Sequence, residues 1–522
     1  MSKNHQRPRQ IGFLLGLVLF ALLIAIPPFA GFHDLAEEII RNQQVDMDPS
    51  VLAASAQYVT ALLLLMVVWW ITEAIPLPAT ALLPAITLPL FHVVGVSGSE
   101  VYQFTFKNAL VNYANPVIYL FLGGFLLAAA MQKWGLDRRI TLWLLTRGSL
   151  ANSSRAILFA MMSVTALLSM WISNTACTAM MLPLGLGILR LMDLHPGTSR
   201  FGLVLMLGIA WAASIGGVGT VIGTPPNGIA LGILKATLPA TAVRLTFLDW
   251  MKIGIPFVIV MIPLAWGILV LANPPEVRSL PGGKERLLQE RATLSRLQRG
   301  EKLAMAVFMC AVMLWISNPF WPDLLPSSLA ANLSWVNEYT IGLLVGVLCF
   351  VLPVNVREPR FLLDWKDAVF VDWGTLILFG GGIALSDAMF KTGLASLIAT
   401  SFVGAFGSPS TIVLVVVIVF LAAALTEVTS NTAVTSMLAP IVISVAMNTD
   451  SSPVTLVVAA AFGASMAFML PVATPPNALV YGTGFVSIRQ MLRNGIMLDL
   501  LGWVTTVLIL YVFGVWLFGI LQ

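Results

Sequence analysis

The sequence WISNTACTAMMLP at residues 171–183 decides how this chain folds, because a close copy, VTSNTAVTSMLAP, occurs at residues 428–440. Both segments lie in long apolar stretches. Each carries the same polar tripeptide, Ser173-Asn174-Thr175 in the first copy and Ser430-Asn431-Thr432 in the second. A polar motif that recurs in matching apolar surroundings indicates a duplicated unit, and we interpret the two copies as halves of one binding site.

Two further landmarks repeat in the same order. The motif TPPN at 224–227 returns at 474–477, and FLGGFLLAAAMQKWGL at 121–136 resembles FGGGIALSDAMFKTGL at 379–394. The offsets are 250 and 258 residues, and the two tripeptides are 257 residues apart. Three landmarks with one order and nearly one spacing predict two structural repeats.

The composition excludes a soluble globular protein. Of 522 residues, 58% are hydrophobic and 10% are charged, and the mean hydropathy is +0.92. Apolar runs of about 20 residues are typical of membrane-spanning helices, whereas barrel strands give short alternating segments. We therefore predict an all-α polytopic membrane protein. Its net charge of +4 is better explained by membrane topology than by nucleic-acid binding.

The apolar runs predict about 11 transmembrane helices and two re-entrant hairpins. The predicted spans are 11–30, 52–72, 78–96, 116–132, 251–272, 303–320, 338–354, 373–391 and 496–520, with broken helices at 201–236 and 454–488 and hairpins at 154–190 and 409–448.

These elements group into five predicted regions. They are N-terminal scaffold helices (1–115), a first repeat core (116–272), a linker (273–302), second-half scaffold helices (303–372) and a second repeat core (373–522). The linker alternates basic residues with leucines, so it is either an amphipathic helix on an anionic leaflet or a solvated connection.

The lysines and arginines predict the orientation, because they are enriched in cytoplasmic loops. Arg155, Arg190 and Arg200 flank the first hairpin, which therefore enters from the cytoplasm. No Lys or Arg lies between Ser401 and Asn448, so the second hairpin enters from outside. With the N-terminus inside and the C-terminus outside, the two halves form an inverted repeat, an arrangement that places a substrate site near the bilayer midplane.

The Ser-Asn-Thr tripeptides are predicted at the tips of the two hairpins. Helix N-termini offer free N–H groups to a carboxylate, and exposed carbonyls suit a sodium ion. The paired prolines of each TPPN motif remove backbone donors and interrupt a helix. Neither motif contains Lys or Arg, so we expect helix ends, hydroxyls, amides and co-bound cations to hold an anion here, which favours cation coupling.

Carboxylates inside a membrane are functional candidates. Glu427, three residues before Ser430, is interpreted as a structural cap or as a direct ion ligand, and Glu73 lies near the end of a span. Asp387 and Lys391 are four residues apart on one predicted helix, a spacing that favours mutual pairing.

With WWITEAIPLPATALLP at 69–84, the paired SNT and TPPN motifs resemble the divalent anion:sodium symporter family of di- and tricarboxylate transporters, from about residue 58 to the C-terminus. The resemblance implies a homodimer in a bacterial inner membrane, with a scaffold domain and a transport domain that moves as an elevator.

The resemblance also implies the site residues. One sodium site involves Ser169, Ser173, Asn174 and Gly223, the other involves Thr426, Ser430, Asn431 and Ala473, and the substrate contacts Asn174, Thr175, Thr224, Pro225, Asn431, Thr432, Thr474 and Pro475.

From these observations we expect a transporter that imports a C4 dicarboxylate with Na⁺, and not an enzyme. The family also includes sodium-independent exchangers and carriers of citrate or sulfate, so these remain alternatives. A polytopic membrane enzyme is less consistent with the sequence, because the four histidines are scattered and no Asp/Glu or Ser/His pair lies beside both repeats. An ion channel is also possible, but a pore does not require re-entrant tips that converge on one site from opposite sides.

Overall fold

The structure, a computed structural model, describes residues 3–146, 153–239, 243, 245–277, 283–355 and 360–517. Within these ranges the chain is mostly helical, and its only sheets are two short antiparallel strand pairs. Eight helices are long and apolar enough to cross a membrane, or up to ten if two bent helix pairs are each counted as one span. The predicted all-α polytopic fold is confirmed.

The N-terminal region differs from its prediction at two spans. The helix predicted at 11–30 ends at Ala25, before a separate helix with a charged face. The span predicted at 78–96 is wrong beyond Leu90, because the chain turns at His92, which has a positive φ of 49°, and continues as a strand. The elements are α1 (Lys3–Ala25), α2 (Ala30–Gln43), α3 (Pro49–Thr72), α4 (Leu77–Ala81), α5 (Leu83–Leu90), β1 (Val94–Ser97), β2 (Glu100–Gln103) and α6 (Phe106–Val111).

The first repeat contains the predicted interruption at the tripeptide. One helix ends at Ser169 and the next begins at Asn174. The predicted broken helix is interrupted earlier than expected, from residue 218 to residue 224. The elements are α7 (Pro116–Lys133), α8 (Leu136–Leu145), α9 (Ser154–Ser169), α10 (Asn174–Leu191), α11 (Arg200–Gly217), α12 (Pro225–Thr237) and α13 (Phe247–Ala272).

The predicted linker contains a helix that packs on the first repeat. Arg138 of α8 pairs with Glu290 at 2.9 Å, and Arg291 donates to the Thr146 hydroxyl at 3.0 Å. Residues 278–282 of the linker lie outside the described residues. The elements from here to the second repeat are α14 (Gly283–Ala292), α15 (Arg299–Ser317), α16 (Trp321–Leu324), α17 (Ser327–Asn332), α18 (Glu338–Val351), β3 (Pro353–Asn355), β4 (Arg360–Phe361) and α19 (Trp365–Ala368).

The second repeat follows the same plan as the first. Its final helix begins at Ile488, eight residues before the predicted start at 496, because Ser487 and Gln490 form a capping box. Residues 510–517 continue it with wider helical turns, and 518–520 of the predicted span lie outside the described residues. The elements are α20 (Trp373–Lys391), α21 (Leu394–Phe406), α22 (Thr411–Thr426), α23 (Asn431–Met447), α24 (Pro453–Ala464), α25 (Pro475–Tyr481) and α26 (Ile488–Ile509).

The first helix of each repeat ends at a turn that contains a glycine at the equivalent position. Gly135 precedes α8 and Gly393 precedes α21, with φ of 68° and 80°. Both backbones are left-handed, a conformation that only glycine adopts without strain. The sequence similarity between 121–136 and 379–394 therefore corresponds to the same turn in both halves.

The two repeats meet at a pair of equivalent phenylalanines. Phe121 and Phe379 have ring centroids 4.8 Å apart in an edge-to-face arrangement, and Gly228 lies against both rings. Two residues that a repeat relates to each other can touch only near the axis that relates the halves. Around this contact, α12 packs against α23 and α10 packs against α25, so each half supplies neighbours to the other half's interruption.

The helices α7 and α18 approach at glycine. A Cβ atom added at Gly123 would overlap the Gly342 carbonyl, whereas one added at Gly267 of α13 would meet nothing within 4 Å. We expect Gly123→Ala to lower the free energy of unfolding by about 1–3 kcal/mol through overpacking.

Thermal unfolding of the purified protein in detergent measures this effect. The matched control Gly267→Ala should change the stability by no more than about 0.5 kcal/mol. Equal melting temperatures for the two variants would contradict the close helix contact.

Candidate functional site

The first tripeptide forms the start of α10. Ser173 is the N-cap residue, and its hydroxyl accepts from the Ala176 N–H at 3.3 Å. Asn174 and Thr175 are the first two residues of the helix. Their N–H groups have no acceptor within the helix, as at any helix start. This tip therefore offers backbone donors and a positive dipole end to an anion.

Each tip is held by a hydroxyl that bridges it to the neighbouring helix. The Ser169 hydroxyl lies 2.9 Å from Asn174 Oδ1 and 2.7 Å from the Ala213 carbonyl. In the second half, the Thr426 hydroxyl lies 2.6 Å from Asn431 Oδ1 and 2.8 Å from the Ala464 carbonyl. The structure thus brings together Ser169 with Asn174, and Thr426 with Asn431, in two equivalent arrangements.

The TPPN motifs begin helices and do not kink them. Thr224 is the N-cap of α12 and Thr474 the N-cap of α25, with prolines in the first two helical positions. Proline is favoured there because a first-turn N–H has no acceptor to lose. The Thr474 hydroxyl accepts from the Asn477 N–H at 3.3 Å, whereas Thr224 makes no side-chain cap.

The asparagine that ends each TPPN motif hydrogen-bonds to main-chain carbonyls that the helix interruption leaves without a helical partner. Asn227 Nδ2 donates to the Gly217 and Thr220 carbonyls at 3.0 and 2.7 Å. Asn477 Nδ2 donates to the Ala467 and Leu470 carbonyls at 2.9 and 3.0 Å. The acceptors are equivalent positions in the two repeats, so the same carboxamide supports both breaks.

Glycine residues allow the start of α10 (the first tip) to lie close to residues 218–224, the interruption between α11 and α12 (the first break). The Gly223 Cα faces the Gly217 carbonyl, and an added Cβ would also lie 3.0 Å from the Met170 carbonyl. A Cβ at Gly217 would overlap Asn174 Oδ1. Hydroxyl, carboxamide and main-chain oxygens therefore converge at one place, which we call the first oxygen cluster (Ser169, Met170, Asn174, Gly217 and Gly223).

The counterparts of these five residues in the other half are Thr426, Glu427, Asn431, Ala467 and Ala473, and we call their hydroxyl, carboxamide and main-chain oxygens the second oxygen cluster. Ala467 and Ala473 stand where the first cluster has glycines. Hard cations such as sodium bind oxygen ligands, so the donor types of both clusters fit this ion. Within the described residues there is no group of three or more His, Cys, Asp or Glu side chains that could hold a metal.

In both halves a hydrogen bond joins the tip to the helix interruption, but different groups make it. In the first half the Thr220 hydroxyl donates to the Met170 carbonyl. At the equivalent positions in the second half, Glu427 Oε2 accepts from the Leu470 N–H at 3.1 Å. Glu427 Oε1 also accepts from the N–H groups of Phe468 and Met469 at 2.7 and 3.0 Å. Of the two interpretations of Glu427, the structure supports the cap.

Asp499 was not predicted, and it adds a second carboxyl group beside Glu427. Both of its carboxyl oxygens are buried, and its carboxyl group interacts with that of Glu427. A single acidic residue inside the last apolar span was the available sequence signal, because such residues are rarely placed in a membrane without a role.

The other acidic candidates form ion pairs elsewhere. Asp387 and Lys391 pair at 2.6 Å, as predicted, and Lys391 also lies 3.6 Å from the centroid of the Tyr102 ring. Glu73 pairs with Arg9 at 2.9 Å in an exposed position. These contacts assign the three residues to packing between elements and not to the oxygen clusters.

Burial differs sharply between the half-helices that start at the site. Helix α23 buries fourteen of its seventeen residues and α12 nine of its thirteen. Helix α10 buries six of eighteen and α25 three of seven. Consistently, Thr175 is exposed while Thr432 is buried. Helices α10 and α25 are therefore more exposed than their counterparts α23 and α12.

The predicted substrate residues also differ in how far they are exposed. Asn174 and Asn431 are half-buried, Thr224 and Thr474 are buried, and Pro475 is exposed where Pro225 is half-buried. Helix α10 packs on α25 and α23 packs on α12, so the helix that begins at each tripeptide contacts the TPPN helix of the other half. The arrangement can present two helix starts and two oxygen clusters to one small anion.

Known proteins resemble this chain over nearly its whole length. Residues 47–520 match a family model described as the sodium:sulfate symporter transmembrane region. The sodium-dependent dicarboxylate transporter SdcS of Staphylococcus saprophyticus is 36% identical, over 98% of this chain and 93% of the relative. The protein of the same name from Staphylococcus aureus strain USA300 is also 36% identical, with the same coverage.

The fold also resembles solved structures. The crystal structure of the YdaH transporter of Alcanivorax borkumensis aligns with a TM-score of 0.56 at 16% identity, covering 88% of this chain and 99% of that one. At this identity the similarity concerns the fold alone.

The cap made by Glu427 predicts a large effect on stability. We expect Glu427→Ala to lower the free energy of unfolding by about 3 kcal/mol, because one buried and two partly buried N–H groups lose their acceptor. Glu427→Gln keeps one carbonyl oxygen and should lose less. Thermal unfolding in detergent measures both variants.

The matched control is Glu73→Ala, which removes an exposed ion pair and should change the stability by about 0–1 kcal/mol. A Glu427→Ala variant as stable as this control would show that the three N–H groups do not depend on the carboxyl group.

Proposed function

The chain belongs to the sodium:sulfate symporter family, the divalent anion:sodium symporters, and from this premise we propose that it imports a C4 dicarboxylate such as succinate, malate or fumarate together with sodium ions. Sodium-dependent dicarboxylate transport is what the names of the 36% identical relatives state. The same similarity assigns the chain to transporters and not to enzymes.

The observation that carries this proposal is the pair of equivalent oxygen clusters. Each joins a tip hydroxyl, a tip asparagine and main-chain carbonyls. Two such clusters, built from neutral oxygens, suit two monovalent cations. They also explain why the motifs contain no basic residue, since the cations supply the charge that offsets a dicarboxylate.

We assign the first sodium ion to Ser169, Ser173, Asn174 and Gly223 and the second to Thr426, Ser430, Asn431 and Ala473. The dicarboxylate contacts Asn174, Thr175, Thr224 and Pro225 from one half and Asn431, Thr432, Thr474 and Pro475 from the other. In this assignment the N–H groups at the starts of α10 and α23 hold one carboxylate each. Asn174 and Asn431 then contact both ion and anion, which makes the binding of one depend on the other.

Transport requires the site to open on each side in turn. With the N-terminus in the cytoplasm, as the basic residues indicate, α10 and α25 lie on the cytoplasmic side, so their exposure corresponds to an inward-open state. An elevator motion of the two repeat cores against the scaffold helices, in a homodimer in the inner membrane, would carry the site to the outside. In this proposal the repeat cores (116–272 and 373–522) form the moving part, and the scaffold helices (1–115 and 303–372) form the fixed part.

The main rival is a sodium-independent di- or tricarboxylate antiporter, and the substrate could also be citrate or sulfate. The oxygen clusters favour sodium coupling, because an exchanger of two anions has no need of paired cation sites. Two buried threonines at the TPPN helices favour a small anion that hydroxyl groups can reach.

Uptake of labelled succinate into proteoliposomes tests the coupling. We expect an inward sodium gradient to raise the initial rate at least about tenfold over choline, since two cation sites must fill before the anion binds. Competition by unlabelled malate, citrate and sulfate in the same assay ranks the substrates. Equal rates in sodium and choline, with succinate counterflow in sodium-free buffer, would favour the antiporter.

Substitution of the tip asparagines tests the site. Asn174→Ala and Asn431→Ala should each lower sodium-driven uptake by at least about tenfold, because each removes a group shared by ion and anion. The control is Asn448→Ala at the exposed end of α23, whose side chain donates only to the Ser444 carbonyl. Normal uptake by Asn174→Ala or Asn431→Ala would exclude that residue from the site.

A further inference from the structure

The last residue of each TPPN motif carries an unpartnered buried oxygen. Asn227 and Asn477 are both fully buried, with 0% exposure. In each of them Nδ2 makes two hydrogen bonds to main-chain carbonyls, as described above. The Oδ1 atom of each has no hydrogen-bond partner among the described residues. A buried carbonyl oxygen without a partner is costly, so the same arrangement in both halves calls for an explanation.

The orientation of both carboxamides is determined by their neighbours. Rotating either group by 180° would place Oδ1 against two carbonyl oxygens and lose both hydrogen bonds. The prolines at the first two positions of α12 and α25 provide no N–H. The protein therefore leaves a carbonyl oxygen with free lone pairs at each break, in a place where its own backbone supplies few donors.

A lone pair without a donor is suited to a cation. The Gly217 carbonyl that accepts from Asn227 also faces Gly223, and the Gly217 Cα lies against Asn174 Oδ1. The Asn227 carboxamide is thus attached directly to the first oxygen cluster. Asn477 is attached to the second cluster through the Ala467 carbonyl.

We propose that Asn227 Oδ1 and Asn477 Oδ1 each coordinate one transported sodium ion, so that the TPPN asparagines are ligands of the two cation sites as well as supports of the helix breaks. This inference rests on the proposed sodium coupling. It assigns one carboxamide two tasks. Nδ2 fixes the carbonyls that the break releases, and Oδ1 completes the oxygen shell that those carbonyls and the tip hydroxyl begin.

Sodium-dependent thermal stability of the purified full-length protein tests the inference without transport. The melting temperature is measured without substrate, against NaCl concentration, with choline chloride holding the ionic strength constant. For Asn227→Ala and Asn477→Ala we expect the half-saturating sodium concentration to rise about 10- to 100-fold, as when a metal site loses a supporting group. The melting temperature in choline alone reports the loss of the Nδ2 hydrogen bonds.

The matched control is Asn273→Ala. Asn273 also donates from Nδ2, to Asn494 Oδ1 at 2.7 Å, but it is outside both oxygen clusters. This variant should keep the half-saturating sodium concentration of the unmodified protein. If Asn227→Ala and Asn477→Ala melt earlier by the same amount in sodium and in choline, with unchanged half-saturation, Oδ1 binds a water molecule and the proposal is wrong.

The same assay separates this proposal from the proposed function. An unmodified protein that sodium does not stabilise contradicts the sodium coupling itself, before any variant is compared. If the alanine variants do not fold, Asn227→Ser and Asn477→Ser replace them, because a hydroxyl can still donate to one of the carbonyls that Nδ2 binds but supplies no Oδ1 carbonyl oxygen. We expect the same rise in the half-saturating sodium concentration, at least about tenfold, and an unchanged value would overturn the proposal.

Discussion

The structure depends on satisfying backbone polar groups where helices are interrupted inside apolar sequence. In hydrocarbon, water cannot hydrogen-bond a free carbonyl, so a break survives only where the protein provides partners or encloses a cavity. Here the partners are two carboxamides, Asn227 and Asn477, and two hydroxyls, Ser169 and Thr426. In the proposed site, the groups that stabilise the helix interruptions are the same groups that bind the ions and the anion. The proposal therefore gives the same side chains a structural role and a binding role.

Much of this arrangement could be predicted from the sequence, because repeated motifs indicate that the two halves have equivalent structures. The offset between Asn174 and Asn431 predicted two equivalent tips, and their bonds to Ser169 and Thr426 are equivalent in the structure. What the sequence did not reveal depends on contacts between distant segments. Asp499 is one residue in an apolar run, and only folding places it against Glu427. The strand after Leu90 was mistaken for helix because apolar length alone does not separate the two.

The halves are similar in backbone but not in chemistry. Glycines at 217 and 223 let the first tip approach its break closely, where the second half has alanines. The tip and break are joined by a hydroxyl in the first half and by a carboxyl group in the second. Glu427 holds three N–H groups, so the second break has more of its backbone bound by one side chain. The two cation sites should accordingly differ in affinity and rigidity.

The unequal burial of the half-helices has a consequence for the energy landscape. Helices α12 and α23 are more buried than α10 and α25. Under the proposed alternating access, each half shows the packing that its counterpart would adopt when access is reversed. Two identical repeats would make these two conformations equal in energy. The differences at Glu427, Asp499 and the paired glycines would then set how the protein divides its time between the two sides of the membrane.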